Sequence, residues 1–566
     1  MRQAQATSAG VSLSNSAHTQ TKATFTTVPG SFGPRQLGPS ALGGRQPGAG
    51  AFCDYCIQGA VVISVRRILG GATATLAALA GLSLVGGAIA APGGSNFVEG
   101  SAGTGDAYFP NAGNGGYDVM HYDLKLDYTP PAPAPAPLEG QLDGTATIDL
   151  VATQNLDRFS LDLRDLDVQS VAVNGVAATE VPLPGLGAVV NGAAYWQVQD
   201  DAARMWELTV QPRPKIKQGD NVHVVVNYGG TTSVPSDIEG VPYGWVTTRD
   251  GAMVVNEPDG AMTWYPVNDH PTDKATYDFA ITVPEGKTAV ANGLQSKEAI
   301  TENGETTWFW NAPDPMASYL STASIGDFQL RDTYYSGSGV PIVDAVDADL
   351  SPTRLDTTNA SLNLQADMIG FYESKFGPYP FNSFGAIVDD DSVGYALETQ
   401  TRPVYSGRAS EGTVAHELAH MWFGDAVSPK RWQDIWLNEG WATYATWMWT
   451  EQRGGETAQM AYDDWYAAEK KHSDYWSLPI GDPGPFGLFL DQVYDRGAAT
   501  LHALRVEIGD QAFFDGARLW MQRYDNSAAT SEDFQAVFEE VSGQNLDDFF
   551  DTWLHDPGKP PATWTT

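Results

Sequence analysis

The first half of the chain shows the alternation of apolar and polar residues that is typical of β-strands. Between Tyr117 and Tyr128 the two kinds of side chain largely alternate, as they do on a half-buried strand. Turn-forming pairs such as Asn174-Gly175 separate further runs of strand-forming residues. These runs are Thr145–Ala152, Phe159–Leu163, Val168–Val173, Met205–Val210, Val222–Tyr228 and Tyr277–Val283. Short strands at this spacing predict a β-sandwich or saddle-shaped sheet domain over residues 91–325.

After Asp356 the apolar residues recur with the period of a helix. A first helix ends before Gly377-Pro378, since proline cannot continue it. Further helical periods occur at 408–423, 435–453, 456–472, 492–508, 510–523 and 530–541. We therefore expect an α+β multidomain protein, in which a mainly helical domain over residues 326–566 follows the β-rich one.

The N-terminal residues have the features of a leader and an export signal. Residues 1–60 are rich in Gly, Ser, Ala, Gln and Pro and show no regular period, which predicts disorder or a true translation start further downstream. The pair Arg66-Arg67 precedes an uncharged stretch that ends in Ala88-Ile89-Ala90. A positive segment, an apolar segment and a small-residue cleavage site predict a signal peptide over residues 61–90 and a secreted protein. The alternative is an uncleaved membrane anchor, which the many Gly and Ala residues of the stretch disfavour.

Composition excludes some classes of partner and of metal ligand. With 42% hydrophobic residues the 566-residue chain can bury large cores, so it is not a wholly disordered protein. The formal net charge of −37 repels phosphate backbones, and no nucleic-acid partner is expected. Both cysteines, Cys53 and Cys56, precede the signal, so histidines and carboxylates must hold any metal in the exported chain. The sequence does not predict an oligomeric state.

One motif predicts a zinc site. His416-Glu417-Leu418-Ala419-His420 lies in a helical segment, where residues at i and i+4 share a face, so both imidazoles can reach one ion. A catalytic zinc needs a third protein ligand and an open position for water. Glu439 lies at the start of the next predicted helix, and an antiparallel helix pair brings it beside the histidines. We predict one zinc ion per chain, bound by His416, His420 and Glu439, with Glu417 as the general base.

These residues resemble a known family. The motif, with 18 residues between His420 and Glu439, resembles that of the M1 family of zinc aminopeptidases, which belong to the thermolysin-like gluzincins. The similarity runs from about residue 115 to residue 556, in the order of the family. Further similar segments are Tyr395–Thr399 (for the family's Gly-Ala-Met-Glu-Asn), Val493–Ala498, Asn256–Pro258, Trp264–Pro266 and Asp273–Asp278. The resemblance implies a thermolysin-like catalytic domain and hydrolysis of peptides that have a free N-terminus.

The resemblance also assigns roles to individual residues. It implies that Glu398 and Glu257 bind the substrate's ammonium, that Ala396 contacts the substrate, and that Tyr494 donates a hydrogen bond to the oxyanion. Tyr395, Leu397 and Thr399 depart from the family pattern, and Val255 stands where a glutamine is often found. Because the chain ends at residue 566, we expect a short form without the large C-terminal helical domain of longer members.

Other functions remain open at this point. A zinc endopeptidase of the same fold would need no free N-terminus, whereas the pair Glu257 and Glu398 favours an exopeptidase. A non-catalytic zinc-containing binding protein would have no use for a base at Glu417. An epoxide hydrolase, known in one branch of the family, has no positive sign in this sequence.

Overall fold

The computed structural model describes residues 96–183, 191–391, 393–468 and 475–564. The predicted leader 1–60 and signal peptide 61–90, together with Cys53 and Cys56, lie outside these residues and stay predictions. Within the described ranges, no helix is both long and apolar enough to cross a lipid bilayer.

The β-rich part of the chain builds three sheets. An eight-stranded sheet has the order β15-β16-β13-β2-β3-β10-β5-β6, a five-stranded sheet has the order β1-β4-β9-β8-β7, and a four-stranded sheet has the order β11-β12-β17-β14. The strands are β1 Val98–Glu99, β2 Tyr117–Thr129, β3 Gly140–Ala152, β4 Leu156–Asp162, β5 Asp167–Val173, β6 Val176–Ala177, β7 Thr179–Glu180, β8 Ala194–Asp200, β9 Met205–Gln211, β10 Asn221–Thr232, β11 Gly244–Thr247, β12 Ala252–Val255, β13 Lys274–Pro284, β14 Thr288–Ala291, β15 Leu294–Glu302, β16 Glu305–Ala317 and β17 Ala323–Gly326.

The sequence predicts the strands that have one buried and one exposed face, and it does not predict the strands that are buried on both faces. Each predicted strand lies in or overlaps an observed one, and β2 places Leu124, Leu126 and Tyr128 in the core between exposed polar residues. The four-stranded sheet was missed because every residue of β11, β12, β14 and β17 is buried, so these strands have no polar face and no period of two. The sheet positions one of the predicted site residues, since Glu257 lies two residues after the end of β12.

The second part of the chain is helical around a small mixed sheet. Its helices are α1 Pro352–Leu362, α2 Gln365–Phe376, α3 Glu411–His420, α4 Trp436–Gln452, α5 Ala458–Ala467, α6 Asp491–Ile508, α7 Asp510–Tyr524, α8 Ser531–Ser542 and α9 Asp547–Phe550, followed by a π-helical turn at Asp551–His555. Its strands are β18 Phe328–Leu330, β19 Tyr334–Tyr335, β20 Pro341–Asp347, β21 Phe384–Asp389, β22 Ala396–Leu397, β23 Val404–Ser406, β24 Val427–Pro429 and β25 Ser527–Ala529. A helix lies in each predicted range; of the range 456–472, residues 469–472 lie outside the described residues. The α+β fold class is confirmed.

The mixed sheet interrupts the helical region that the sequence predicts after Asp356. Its order is β18-β20-β21-β23-β22, with β20, β21 and β23 parallel and β22 antiparallel at the edge. All six residues of β21 are buried, and β22 and β23 are too short to show a period. The last strand pair leads directly into α3, so the sheet positions the edge strand beside the two histidines.

Helices α4 and α6 pack against each other at two glycines. A Cβ atom added to Gly440 would lie 2.9 Å from the backbone of Gly497, and one added to Gly497 would lie 2.8 Å from Gly440 Cα. Only residues without a side chain allow this approach. Glu439 precedes the first glycine and Tyr494 lies one helical turn before the second, so this contact sets the distance between these two predicted site residues.

We expect Gly440→Ala to destabilise the protein, because the new methyl group meets backbone that cannot rotate away. Overpacking of this kind costs about 1–3 kcal/mol. Gly370→Ala is the matched control: Gly370 lies exposed within α2 with no atom near its added Cβ, and the same change there should stabilise by about 0.5–1 kcal/mol. Thermal unfolding of both variants tests this, and an unchanged Tm for Gly440→Ala would contradict the close helix contact.

Candidate metal centre and substrate cleft

Helix α3 presents the two histidines of the motif on one face. It begins after Ser410, whose hydroxyl oxygen accepts a hydrogen bond from the Thr413 N–H at 3.3 Å. The ring centroids of His416 and His420 lie 4.8 Å apart at the C-terminal end of the helix. The i, i+4 spacing therefore places both imidazoles side by side, as the sequence predicts.

Glu439, in the first turn of α4, completes the group. Its Oε2 lies 3.1 Å from His416 Nε2 and 3.5 Å from His420 Nε2. His420 Nδ1 donates to the Phe423 carbonyl at 3.1 Å, which leaves its Nε2 free for a metal. Two imidazole nitrogens and one carboxylate oxygen, with their ligand atoms within 4.8 Å of one another, fit the three protein ligands of a catalytic zinc ion.

Of the three side chains, His416 is the most exposed to solvent. It keeps 19% of its surface exposed, whereas His420 keeps 1% and Glu439 keeps 3%. The side of the group at His416 is therefore its open side.

The electrostatics of the site favour a cation at this point. Burial alone would raise the pKa of Glu439, but His420 and the hydrogen bonds with both imidazoles lower that pKa to about 2. Burial lowers the pKa of His416 and so favours the neutral ring that binds metal. The carboxylates of Glu398 and Glu439 raise the pKa of His420 well above its usual value in spite of burial. The raised pKa of His420 reflects the negative charge of the neighbouring carboxylates, which a metal ion would offset.

Glu417 lies beside the three predicted zinc ligands but is not one of them. One of its oxygens lies within 4.8 Å of ligand atoms of Glu398 and His420. Burial raises the pKa of the Glu417 carboxyl well above its usual value, and the negative charges of Glu398 and Glu439 add to the effect while His420 opposes it. A carboxyl group whose pKa is raised in this way can accept a proton and return it.

Tyr494 faces the metal ligands from a third helix. It lies in the first turn of α6 and is half-buried. Its ring centroid lies 6.0 Å from that of His416, and the two planes are inclined by 22°. The phenol therefore borders the open side of the metal centre, where the resemblance places a donor.

Glu257 and Glu398 meet next to Glu439, although they come from different parts of the chain. One oxygen from each of the three carboxylates lies within 4.8 Å of the others. Glu257 is 9% exposed and Glu398 is 2% exposed, and Oε1 of each accepts no hydrogen bond from any described residue. Burial and the neighbouring carboxylates raise the pKa of Glu257 well above its usual value. We refer to these three carboxylates as the acidic pocket.

The edge strand β22 lies against the histidine helix α3. Ala396 pairs with Tyr405 of β23, and no described strand pairs with the opposite edge of β22. Free backbone groups on an edge strand can pair with an extended peptide. Tyr395, just before the strand, donates its hydroxyl hydrogen to the Pro242 carbonyl at 2.8 Å and so joins this wall to the β-rich part of the chain.

Sequence reasoning assigned no role to the residues that hold the loop after α3. Lys274 Nζ donates to the carbonyls of Asp425 and Ala426 at 2.7 and 3.0 Å, and Tyr319 donates its hydroxyl hydrogen to the Gly424 carbonyl at 3.1 Å. Asp425 is fully buried, and neither of its carboxylate oxygens has a hydrogen-bond partner among the described residues. Lys274 and Tyr319 belong to the β-rich part, so no local motif around the histidines could have indicated them.

Two family models match the chain. The model described as the peptidase M1 N-terminal domain matches residues 119–320, and the one described as the peptidase family M1 domain matches residues 391–553. Together these ranges cover more than half of the 566 residues. The second range includes both histidines and Glu439, and the first includes Glu257.

Curated relatives are aminopeptidases that are longer than this chain. The chain is 27% identical to Aminopeptidase A of Gloydius brevicauda over 337 residues, which are 55% of this chain and 35% of that protein. It is 25% identical to Aminopeptidase M1-C of Oryza sativa subsp. japonica over 480 residues, which are 76% of this chain and 52% of that protein. The chain thus spans about a third to a half of the length of these relatives.

A solved structure is similar over nearly its full length. The crystal structure of an M1 zinc metallopeptidase from Deinococcus radiodurans matches with a TM-score of 0.70 and 28% identity, over 81% of this chain and 98% of that chain. A mutant of that zinc metallopeptidase is described with a bound Tyr-Ser-Ala substrate.

The donor geometry predicts how zinc content responds to substitution. We expect Glu417→Gln to keep one zinc ion per chain, because its carboxylate is not among the three ligands. His420→Ala should lose most of the zinc, since it removes a ligand whose Nε2 faces Glu439. Elemental analysis of the dialysed proteins measures both, and equal zinc loss in the two variants would contradict the assignment of ligands.

Proposed function

Because this chain belongs to the peptidase M1 family, we propose that it is a zinc-dependent aminopeptidase that removes N-terminal residues from peptides. The observation that carries the proposal is the acidic pocket beside the zinc ligands. A peptide's free ammonium is the one cation that every aminopeptidase substrate brings to its site. Buried carboxylate oxygens without hydrogen-bond donors are suited to receive it.

Zinc fits the group formed by His416, His420 and Glu439. When bound there, the ion supplies Lewis acidity to the scissile carbonyl and to water. Glu417 is placed to take a proton from the attacking water and to pass it to the leaving amine, and its raised pKa suits both steps. The Tyr494 hydroxyl, on the open side of the centre, is the donor for the developing oxyanion.

The position of the acidic pocket favours removal of terminal residues over internal cleavage. Glu439 belongs both to the zinc group and to the pocket, so an ammonium held by Glu257 and Glu398 lies close to the ion. An amine held next to the ion favours attack on the first peptide bond over attack on internal bonds. Ala396, on the free edge of β22, offers main-chain groups to that residue.

We further propose that the protein acts after export. The support for this is the sequence of residues 61–90 alone, with its arginine pair, apolar stretch and Ala88-Ile89-Ala90 site.

Removal of the Tyr494 hydroxyl should slow turnover without loss of metal. Loss of one oxyanion donor typically lowers kcat about 10²–10³-fold, so we expect Tyr494→Phe to fall in that range while zinc content and KM change little. Tyr335→Phe is the control, because Tyr335 is 62% exposed on β19, remote in sequence from the metal motif. A Tyr494→Phe enzyme with the kcat of the wild type would exclude the hydroxyl as a donor.

Acetylation of the substrate and the substitution Glu398→Gln should both weaken binding of the substrate's N-terminal amine. Hydrogen bonds to charged groups are worth about 1.5–3 kcal/mol, so the variant should lower kcat/KM on free-amine peptides about 10–100-fold with zinc retained. Acetylation of the peptide should abolish cleavage by the wild type. Glu298→Gln makes the same change on an exposed residue of β15 and should have no effect. Efficient cleavage of acetylated peptides at internal bonds would instead support a zinc endopeptidase.

A further inference from the structure

We propose that the acidic pocket is also a second cation site, at which Glu257, Glu398 and Glu439 bind a hard divalent cation in the substrate-free protein. Such an ion would occupy the place of the substrate's ammonium and inhibit competitively. The binding of the ion follows from the geometry of the pocket, whereas its competition with substrate rests on the proposed function.

The pocket is a built oxygen site rather than a group of surface acids. Its three carboxylate oxygens lie within 4.8 Å of one another. Glu257 and Glu398 are both more than nine-tenths buried. Oε1 of each accepts no hydrogen bond from a described residue; the Glu398 oxygen lies 3.9 Å from His420 Nδ1, and no ion pair with Glu257 is found among the described residues. A buried carboxylate oxygen without a partner is costly, so an occupant that supplies positive charge is expected.

Further carboxylates lie close to the pocket. Glu417 has a carboxylate oxygen within 4.8 Å of a ligand atom of Glu398, and the fully buried Asp425 interacts electrostatically with both Glu398 and Glu417. A cation in the pocket would be attracted by each of these groups that is ionised.

The donor set selects the class of ion. All donors of the pocket are carboxylate oxygens, which suit Ca²⁺, Mg²⁺ and Mn²⁺ better than the nitrogen-preferring Zn²⁺. Ca²⁺ accepts irregular arrangements of carboxylate oxygens at about 2.3–2.6 Å, whereas Mg²⁺ demands a near-ideal octahedron at about 2.0–2.1 Å and keeps several of its waters. The site therefore favours Ca²⁺ and ions with similar ligand preferences, of which Mn²⁺ can be followed by its paramagnetism.

Occupation of the pocket has a defined kinetic consequence. Because Glu439 belongs to both groups, the second ion would lie next to the zinc ion, on the side where the substrate amine binds. Substrate and ion then exclude each other. The apparent KM should rise with the concentration of the ion, and kcat should stay constant.

The test is a titration of the zinc-loaded protein with Mn²⁺, in which electron paramagnetic resonance measures the free ion. Mn²⁺ does not displace zinc from the histidine group, since it binds nitrogen ligands more weakly. We expect one Mn²⁺ per chain, with affinity lowered about 10-fold or more by Glu257→Gln and, as a second variant, by Glu398→Gln. Both changes keep the shape of the side chain.

A second acidic group in the chain provides the control. Asp347, Asp389 and Asp390 also place carboxylate oxygens within 4.8 Å of one another, at the ends of β20 and β21. Asp390→Asn should leave Mn²⁺ binding unchanged. Absence of stoichiometric Mn²⁺ binding, or binding that Asp390→Asn abolishes and Glu257→Gln does not, would overturn the proposal.

Amine competition separates this inference from the proposed function. Free L-alanine should displace the bound Mn²⁺, and N-acetyl-L-alanine should not. Binding that depends on Glu257 and Glu398 but persists in saturating L-alanine supports the cation site and overturns the amine-binding role. Binding that is displaced by L-alanine in a protein without peptidase activity supports the pocket and overturns the proposed reaction.

Discussion

The close approach of α4 and α6 at Gly440 and Gly497 is the contact on which the geometry of the centre depends. It brings the helix that carries Glu439 and the helix that carries Tyr494 to a separation that a single methyl group would prevent. The third helix, α3, packs on α4 and supplies both histidines. Glu439, Tyr494 and Glu417 therefore lie on three helices rather than on loops, which fixes the distances between them before any metal or substrate binds.

The β-rich part contributes more than a scaffold. It places Glu257 at the end of a fully buried strand, where the Asn256 side chain donates to the Ser321 carbonyl at 2.6 Å and accepts from the Trp264 indole N–H at 3.1 Å. Lys274 and Tyr319 hold the loop after α3 by its carbonyls. The acidic pocket thus takes Glu257 from the β-rich part and Glu398 and Glu439 from the helical part.

Much of the site was accessible from the sequence because helical spacing is local information. His416, Glu417 and His420 follow from the period of one helix, and Glu439 follows from the pairing of two. Tyr494, Glu398 and Glu257 could be named only through family resemblance, since nothing in their own surroundings distinguishes them from core or surface residues. Their meeting is long-range: Glu257 lies 141 residues before Glu398 in the numbering of the chain.

The fold was predictable to a different extent in its two parts. Strands with one solvated face, such as β2 and β10, show their period, and amphipathic helices such as α7 show theirs. Strands buried on both faces show no alternation of apolar and polar residues, so the sequence does not predict β12 or β21. Yet β12 positions Glu257, and β21 belongs to the sheet that positions the edge strand β22. The contact between Lys274 and the loop at Asp425 could not be predicted either, because it joins segments that are far apart in the sequence.

The shared loop after α3 has a consequence for how such a chain can change over time. Because the ammonium of Lys274 is bonded to the carbonyls of Asp425 and Ala426, the histidine helix is not an autonomous module. If the β-rich part were replaced by that of another protein, the new part would need a lysine at the position of Lys274 on its strand. Otherwise the Asp425 and Ala426 carbonyls would lose the hydrogen bonds that this side chain donates. The two parts of the chain are therefore expected to change together in evolution, with substitutions near residue 274 accompanied by substitutions near residue 425.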